Sequence, residues 1–570
     1  HVNQTYPGLL GNIPVMLTAV PGDTTNMKNS FQHLDEAFTG FETRYGPYRW
    51  DRVGFCLVPF GSGAMEPATN ISYPRTAANG TLTYEASLMA HEFAHHWWGD
   101  LATCRTQEDM WLNEGWATYS QYVFSEWYYG RAAYLNSVRS NHEDMVHNVH
   151  LTENGYRAVS GVPHQYTYSD HVYVKGADVA HTLRGYMGDS LFWLGLQYHL
   201  NQSQFTDVSS ADFRDNLVTA SGLTNLNDFF NDWVFNGGWP HFSIDSFSVV
   251  PNSPNYDITL YMKQKLDGAP NYYTNVPLDI TFRDAGWNTA VRQVMVSGQN
   301  TTATVSIPFN PDYAAVDFDE KISDAIADEW RVISAPGTFN MNLARCTLNV
   351  VNITDSVLFR VEHNFAPPDS IVNNTNNYRI SDYRYWNIDG LFPSTFYATG
   401  RFYYDGRNGS GYTGNLDNGL TVPNGDSIIL LYRRNAGDNW QEYPHYTKTI
   451  IGAQATSKYG YVVADSLQPG QYAFANGVST VLNGMNETRM EDYRLAVFPN
   501  PAGDEITLSW ENLVYADARI SIYDLHGKLL KQNGCQANQT TVDVSGLPAG
   551  MYFAEVWTGE TMLKQKFIKK

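Results

Sequence analysis

Thr83-Tyr84-Glu85-Ala86-Ser87-Leu88-Met89-Ala90-His91-Glu92-Phe93-Ala94-His95-His96-Trp97-Trp98-Gly99-Asp100 is the stretch on which the reading of this chain turns. It holds H-E-x-x-H. On an α-helix, positions i and i+4 share a face and lie about 6 Å apart. The spacing therefore lets His91 and His95 reach one metal ion through ring nitrogens. Glu92 is rotated by one residue, beside the ion, where a carboxylate can take a proton from water. Thr83 is the expected N-cap and Gly99 the expected stop.

A catalytic zinc needs a third protein ligand. Thr106-Gln107-Glu108-Asp109 has the form of a capping box, and an apolar helix follows it, Met110-Trp111-Leu112-Asn113-Glu114-Gly115-Trp116-Ala117-Thr118-Tyr119. Glu114 is the single acid in its middle. A carboxylate on so apolar a face needs a partner, and a zinc ion suffices. Eighteen residues separate His95 from Glu114. His96 faces away from the His91/His95 stripe, and neither it nor His171 is assigned a role.

H-E-x-x-H, eighteen residues and N-E-G resemble the signature of the gluzincin aminopeptidases, the aminopeptidase N family. Gly63-Ala64-Met65-Glu66 is similar to that family's G-x-M-E-N segment, and Tyr173-Val174-Lys175-Gly176-Ala177 to its Y-x-K-G-A segment. Phe229-Phe230-Asn231-Asp232-Trp233 and Gly238-Trp239-Pro240 resemble the close of its helical domain. The resemblance implies a zinc metallopeptidase with His91, His95 and Glu114 as metal ligands and Glu92 as general base. It implies Tyr173 as the donor to the oxyanion and Glu66 as the carboxylate that binds a peptide's free α-amine. Backbone groups of Gly63, Ala64 and Met65 would bind the peptide. Asp109 and Asn113 are expected to orient ligands or to cap helices. Pro67 stands where the family usually has Asn, so the end of the substrate-facing segment is expected to differ.

The implied architecture is a mainly α, thermolysin-like catalytic domain over 23–240 followed by all-β sandwich domains. Residues 1–22 read as the terminal strand of a missing upstream β-domain. Strand-like alternation then gives a β-sandwich over 241–335 and a β-rich domain of unknown role over 340–478, with soft boundaries near Ser334–Asn340 and Gly477–Glu491. Residues 493–570 read as a small sandwich, with a hairpin turn at Asp524–Lys528, and resemble the C-terminal sorting domain of the type IX secretion system. That resemblance implies export across the outer membrane, with the secretion machinery as a partner.

The bulk properties agree with this reading. A chain of 570 residues exceeds one core. A net charge of −21 disfavours nucleic acid as a partner. Cys56, Cys104, Cys346 and Cys535 form no C-x-x-C pair, which excludes a cysteine zinc ribbon. No apolar run is long enough for a membrane-spanning helix. Asp405–Gly411 is turn-rich, but Arg407 sits where a calcium loop needs a ligand. The expected activity is release of N-terminal residues from peptides. An endopeptidase with an open cleft and an inactive surface-binding protein are the alternatives.

Overall fold

A computed structural model describes all residues except 409–415, 454–455, 482–494, 511–517, 525–527, 536–538 and 558–561. The chain divides into two units, 1–477 and 478–570. The interior of the Asp524–Lys528 turn, residues 409–411 of the Asp405–Gly411 loop and most of the Gly477–Glu491 boundary lie outside the described residues.

The first unit opens with a four-stranded sheet. Strands β1 (Val2–Gly8) and β2 (Gly11–Thr18) form a hairpin, and β3 (Val53–Val58) and β4 (Ile71–Pro74) follow in parallel register. Residues 1–22 were expected to belong to an upstream domain. Instead Val15 pairs with Val53 and Leu17 with Phe55, which makes this stretch part of the sheet beneath the site. The alternation of Val15 and Leu17, both buried, matches the pleat of the sheet it joins.

The helical text follows as α1 (Thr24–Ser30), α2 (Leu34–Tyr45), α3 (Ala90–Ala94), α4 (Glu114–Tyr129), α5 (Arg131–Asp144), α6 (His150–Thr152), α7 (Asp170–Gln202) and α8 (Ser210–Ser221). Residues 114–120 of α4 are all buried, so this helix is the centre of the helical layer. Aromatic rings lock its neighbours to it. Trp98 stacks on Trp116 at 4.4 Å and Phe213 meets Trp116 edge-on at 5.4 Å, contacts worth roughly 0.5–1.5 kcal/mol each beyond burial. The stack ties the segment after α3 to α4, and so brings His95 beside Glu114.

Strands then dominate. Among the described residues, strand (39%) exceeds helix (26%), so the mainly α character stays with the region 24–234. Two three-stranded sheets contain Trp239–Asn252, Asn255–Asp267 and Asn300–Ile307, and Val276–Arg283, Thr289–Val296 and Tyr313–Val316. The strand Ile326–Ile333 does not join them. It pairs along its length with Val357–Asn364 in the next, seven-stranded sheet, so the expected break near Ser334–Asn340 falls inside a sheet system.

In the second unit, one three-stranded and one four-stranded antiparallel sheet enclose a core of Ile506, Leu508, Trp510, Ile520, Ile522 and Phe567. Cys56, Cys104 and Cys346 are free thiols. No described helix is long and apolar enough to cross a membrane.

Candidate active site

The approach to α3 departs from the expected cap. Thr83 makes no cap; its hydroxyl meets that of Thr81 at 2.9 Å. The helix begins with a π-helical turn over Glu85–Met89 and continues into α3. Such turns are rare and often accompany functional sites. Gly99 does end the segment: it has φ +134° and donates its N–H to the Ala102 carbonyl.

His91 and His95 project from this helix toward Glu114 at the start of α4. His91 Nε2 stands 3.2 Å from His95 Nε2 and 3.2 Å from Glu114 Oε2, and His95 Nε2 stands 3.3 Å from the same oxygen. All three residues are buried, and among the described residues they are the one group of metal-ligating side chains this tightly gathered. A tetrahedral ion with bonds of about 2.0–2.1 Å spaces its ligands about 3.3–3.4 Å apart. The triangle of donors therefore fits one face of such a site, and the donor set of two imidazoles and a carboxylate suits zinc.

The far nitrogens are anchored differently. His95 Nδ1 lies 2.9 Å from the Trp98 carbonyl oxygen, which can only accept, so Nδ1 carries the proton and Nε2 is left as the free donor. His91 Nδ1 meets the Gln121 side-chain amide at 3.0 Å. Glu114 is held ionised: burial opposes this, but the two imidazoles keep its carboxyl well below the usual range. Glu92 is buried, with one carboxylate oxygen unpartnered. Burial first, and then the charges of Glu66 and Glu114, push its carboxyl up to about 7 against the pull of His95.

A cavity of about 580 Å³ opens over these groups. Gly63, Ala64 and Glu66 line one side, and Tyr84, Ser87 and Leu88 another, with Gln121 and Tyr173 completing the wall. The Tyr173 ring lies 6.0 Å from the His91 ring and nearly parallel to it. Burial, followed by the Glu114 charge, raises its phenol pKa, so the hydroxyl keeps its proton. Met65 is not among the residues lining the cavity. Its N–H donates to Ser72 O at 3.0 Å and its carbonyl accepts from Ser72 N–H at 2.7 Å, so both backbone groups are engaged within the fold. Pro67 opens a turn in which its carbonyl accepts from Asn70 N–H, beyond the bridge at Met65.

The hydrogen bonds of Asp109 and Asn113 go to residues other than His91, His95 and Glu114. Asp109 accepts from the hydroxyls of Ser160 and Ser210, and Ser210 Oγ in turn accepts from Trp111 Nε1. Asn113 bonds Cys104 N–H and Thr103 Oγ1. His171 is a structural residue, bonded to Glu153 and to Arg157 N–H. His96 bonds Tyr48. Gln121 had no local signal in the sequence. Only its place seven residues after Glu114, two turns along the same helix face, sets it apart.

Comparison with known proteins finds matches over parts of the chain. Residues 29–233 match the peptidase family M1 domain, and residues 496–570 match a secretion system C-terminal sorting domain. Similar curated proteins include "Probable aminopeptidase 2" of Sulfurisphaera tokodaii, 28% identical over 40% of this chain and 31% of its own length. Aminopeptidase N of Lactococcus lactis subsp. cremoris is 29% identical over 40% of this chain and 27% of its own. The chain thus spans about a third or less of these relatives. Legionella pneumophila aminopeptidase A, solved in complex with aspartic acid, overlaps 57% of this chain and 37% of its own at 18% identity, with a TM-score of 0.45. Residues 29–233 of this chain are a peptidase family M1 domain, and residues 496–570 a secretion system C-terminal sorting domain.

Proposed function

We propose that this chain is an exported zinc metallopeptidase that removes N-terminal residues from peptides. The observation that carries the reading is the nearly equal-sided triangle of His91 Nε2, His95 Nε2 and Glu114 Oε2, with one oxygen of the buried Glu92 carboxylate unpartnered. Zinc held there supplies Lewis acidity toward a water molecule and a peptide carbonyl.

The chain's own groups divide the remaining work. Glu92 takes the proton of the attacking water and returns it to the leaving amine, a task suited to a carboxyl near 7. The Tyr173 hydroxyl donates to the oxyanion as the carbonyl carbon becomes tetrahedral. Glu66 lines the cavity and has no ion-pair partner among the described residues, so its carboxylate is free for a substrate's α-ammonium. Gly63 and Ala64 supply backbone groups to the peptide, without Met65. The sorting domain supports passage through the type IX machinery to the cell surface or the medium.

The test pairs a free peptide with its N-acetylated twin before and after zinc is stripped with a chelator. Cleavage of the free peptide alone, lost on stripping and restored by zinc, is expected. Equal cleavage of both peptides overturns the N-terminal reading, and cleavage that survives stripping overturns the zinc reading.

A further inference from the structure

Outside the donor triangle, two contacts restrain the His91 ring, and they do different things. Tyr173 lies against its face, with rings 9° from parallel. Gln121 meets its edge at Nδ1, 3.0 Å away. An imidazole can turn by half a revolution about its terminal bond and keep the same plane, since that torsion is broad and two-fold. A face contact cannot tell the two orientations apart. One orientation presents Nε2 to His95 and Glu114; the other presents a carbon. Of the two contacts outside the triangle, the hydrogen bond at the edge is the one that distinguishes them, and it does so whether or not Glu114 is engaged with an ion.

We infer that Gln121 is the positioning residue that orients His91 for metal binding and fixes its proton on Nδ1, and that this role rests on the zinc reading above. A neutral His91 can offer Nε2 to an ion only if Nδ1 carries the hydrogen. The Gln121 amide nitrogen stands at the contact point, and a half-turn of the amide places its oxygen there to accept that hydrogen. Its nitrogen then faces the cavity that Gln121 lines. The position follows from the helix. Gln121 lies on α4 seven residues beyond Glu114, so a single helix supplies the third ligand and the anchor of the first.

The chemistry of the anchor matters as well as its place. His95 leans on a backbone carbonyl, Trp98 O, which no substitution at position 98 removes. His91 leans on a side chain, so its orientation depends on residue 121. A neutral amide also leaves the imidazole less basic than a carboxylate partner would. The ligand field around the ion is correspondingly weaker, and the ion a stronger Lewis acid.

Two variants of the full chain test this, Gln121→Met and Gln121→Glu. Zinc affinity is read by competition with a chromophoric chelator, the fold by melting of the zinc-stripped protein, and the ligand field by the visible spectrum of the cobalt(II)-loaded protein. Gln121→Met is expected to weaken zinc binding about 10- to 100-fold, the usual loss for an outer partner of a ligating histidine, with the melting temperature of the stripped protein unchanged. Gln121→Glu is expected to bind zinc at least as tightly as the parent, with a shifted cobalt spectrum and a lower kcat. Zinc binding by Gln121→Met within threefold of the parent overturns the inference. If Gln121→Met melts early, Gln121→Glu decides: a cobalt spectrum identical to the parent's overturns the inference. A parent chain that binds no zinc at all overturns the zinc reading itself, and the role of Gln121 with it.

Discussion

Gly115 and Gly176 meet backbone to backbone where α4 crosses α7. A Cβ on Gly176 would stand 2.9 Å from the Gly115 Cα, and a Cβ on Gly115 would stand 2.9 Å from the Val172 carbonyl and 3.0 Å from the Gly176 Cα. One glycine follows Glu114 directly and the other lies one turn beyond Tyr173. The bare crossing lets the metal-facing acid and the phenol approach the same cavity from two helices. Gly176→Ala is expected to cost about 1–3 kcal/mol by overpacking, and to lower kcat because Tyr173 moves with α7. Urea unfolding and steady-state kinetics on the same preparation check both parts.

Glu92→Gln removes the proton acceptor and keeps the shape of the side chain. A loss of about 10²–10⁴ in kcat is expected, with one zinc still bound per chain by metal analysis. Turnover near the parent level would show that another group moves the proton.

Tyr173→Phe deletes one hydroxyl beside the His91 ring. The donor to the oxyanion is lost while the ring contact stays, so kcat is expected to fall about 10²–10³-fold with little change in KM. A rise in KM alone would place Tyr173 in ground-state binding.

Glu66→Gln is expected to act mainly on substrate recognition. KM for free peptides rises, and the preference for free over N-acetylated peptides shrinks. Zinc content is unchanged, because Glu66 is not among the three converging donors. An unaltered preference would remove Glu66 from the amine site.

Lys175 links the site to pH through stability. Its ammonium is buried, and Nζ donates to the carbonyls of Arg157 and Gly238 at 2.8 and 3.2 Å. Burial lowers its pKa to about 7, against the charges of Asp178 and Asp267. A neutral amine has two hydrogens for those two carbonyls. Between about 7 and the unfolded lysine value near 10.4, the unfolded chain holds more protons at this position than the folded one. Stability from this group therefore rises with pH across that window and is lost as pH falls through it. The difference in urea midpoint between Lys175→Met and the parent, followed from pH 7 to pH 10, is expected to shift in the parent's favour as pH rises.

The zinc-site residues were legible because their spacing obeys helix geometry. His91 and His95 are one turn apart, and Glu114 is conspicuous as a charge between Trp111 and Trp116. Asp109 was less legible, since an acid near a helix start serves capping and ligand support equally well, and only its contacts with Ser160 and Ser210 separate the two. The sheet that the first 22 residues join was not legible for a similar reason. Alternation marks Ile13–Leu17 as a strand but does not name its neighbour, and the partner is Val53–Val58, some forty residues on.

Local pattern alone placed His91 and His95 on one face with Glu92 beside them, because side chains one turn apart on a helix share a face whatever else the chain does, and it marked Glu114 only as an acid on an apolar helix in need of a partner. Tertiary structure alone brought Gln121 to His91, Gly176 to Gly115 and Lys175 to the carbonyls of Arg157 and Gly238. Each acts on a residue from a distant segment or another turn of the bundle, and such contacts arise from how helices cross, which no short-range periodicity encodes.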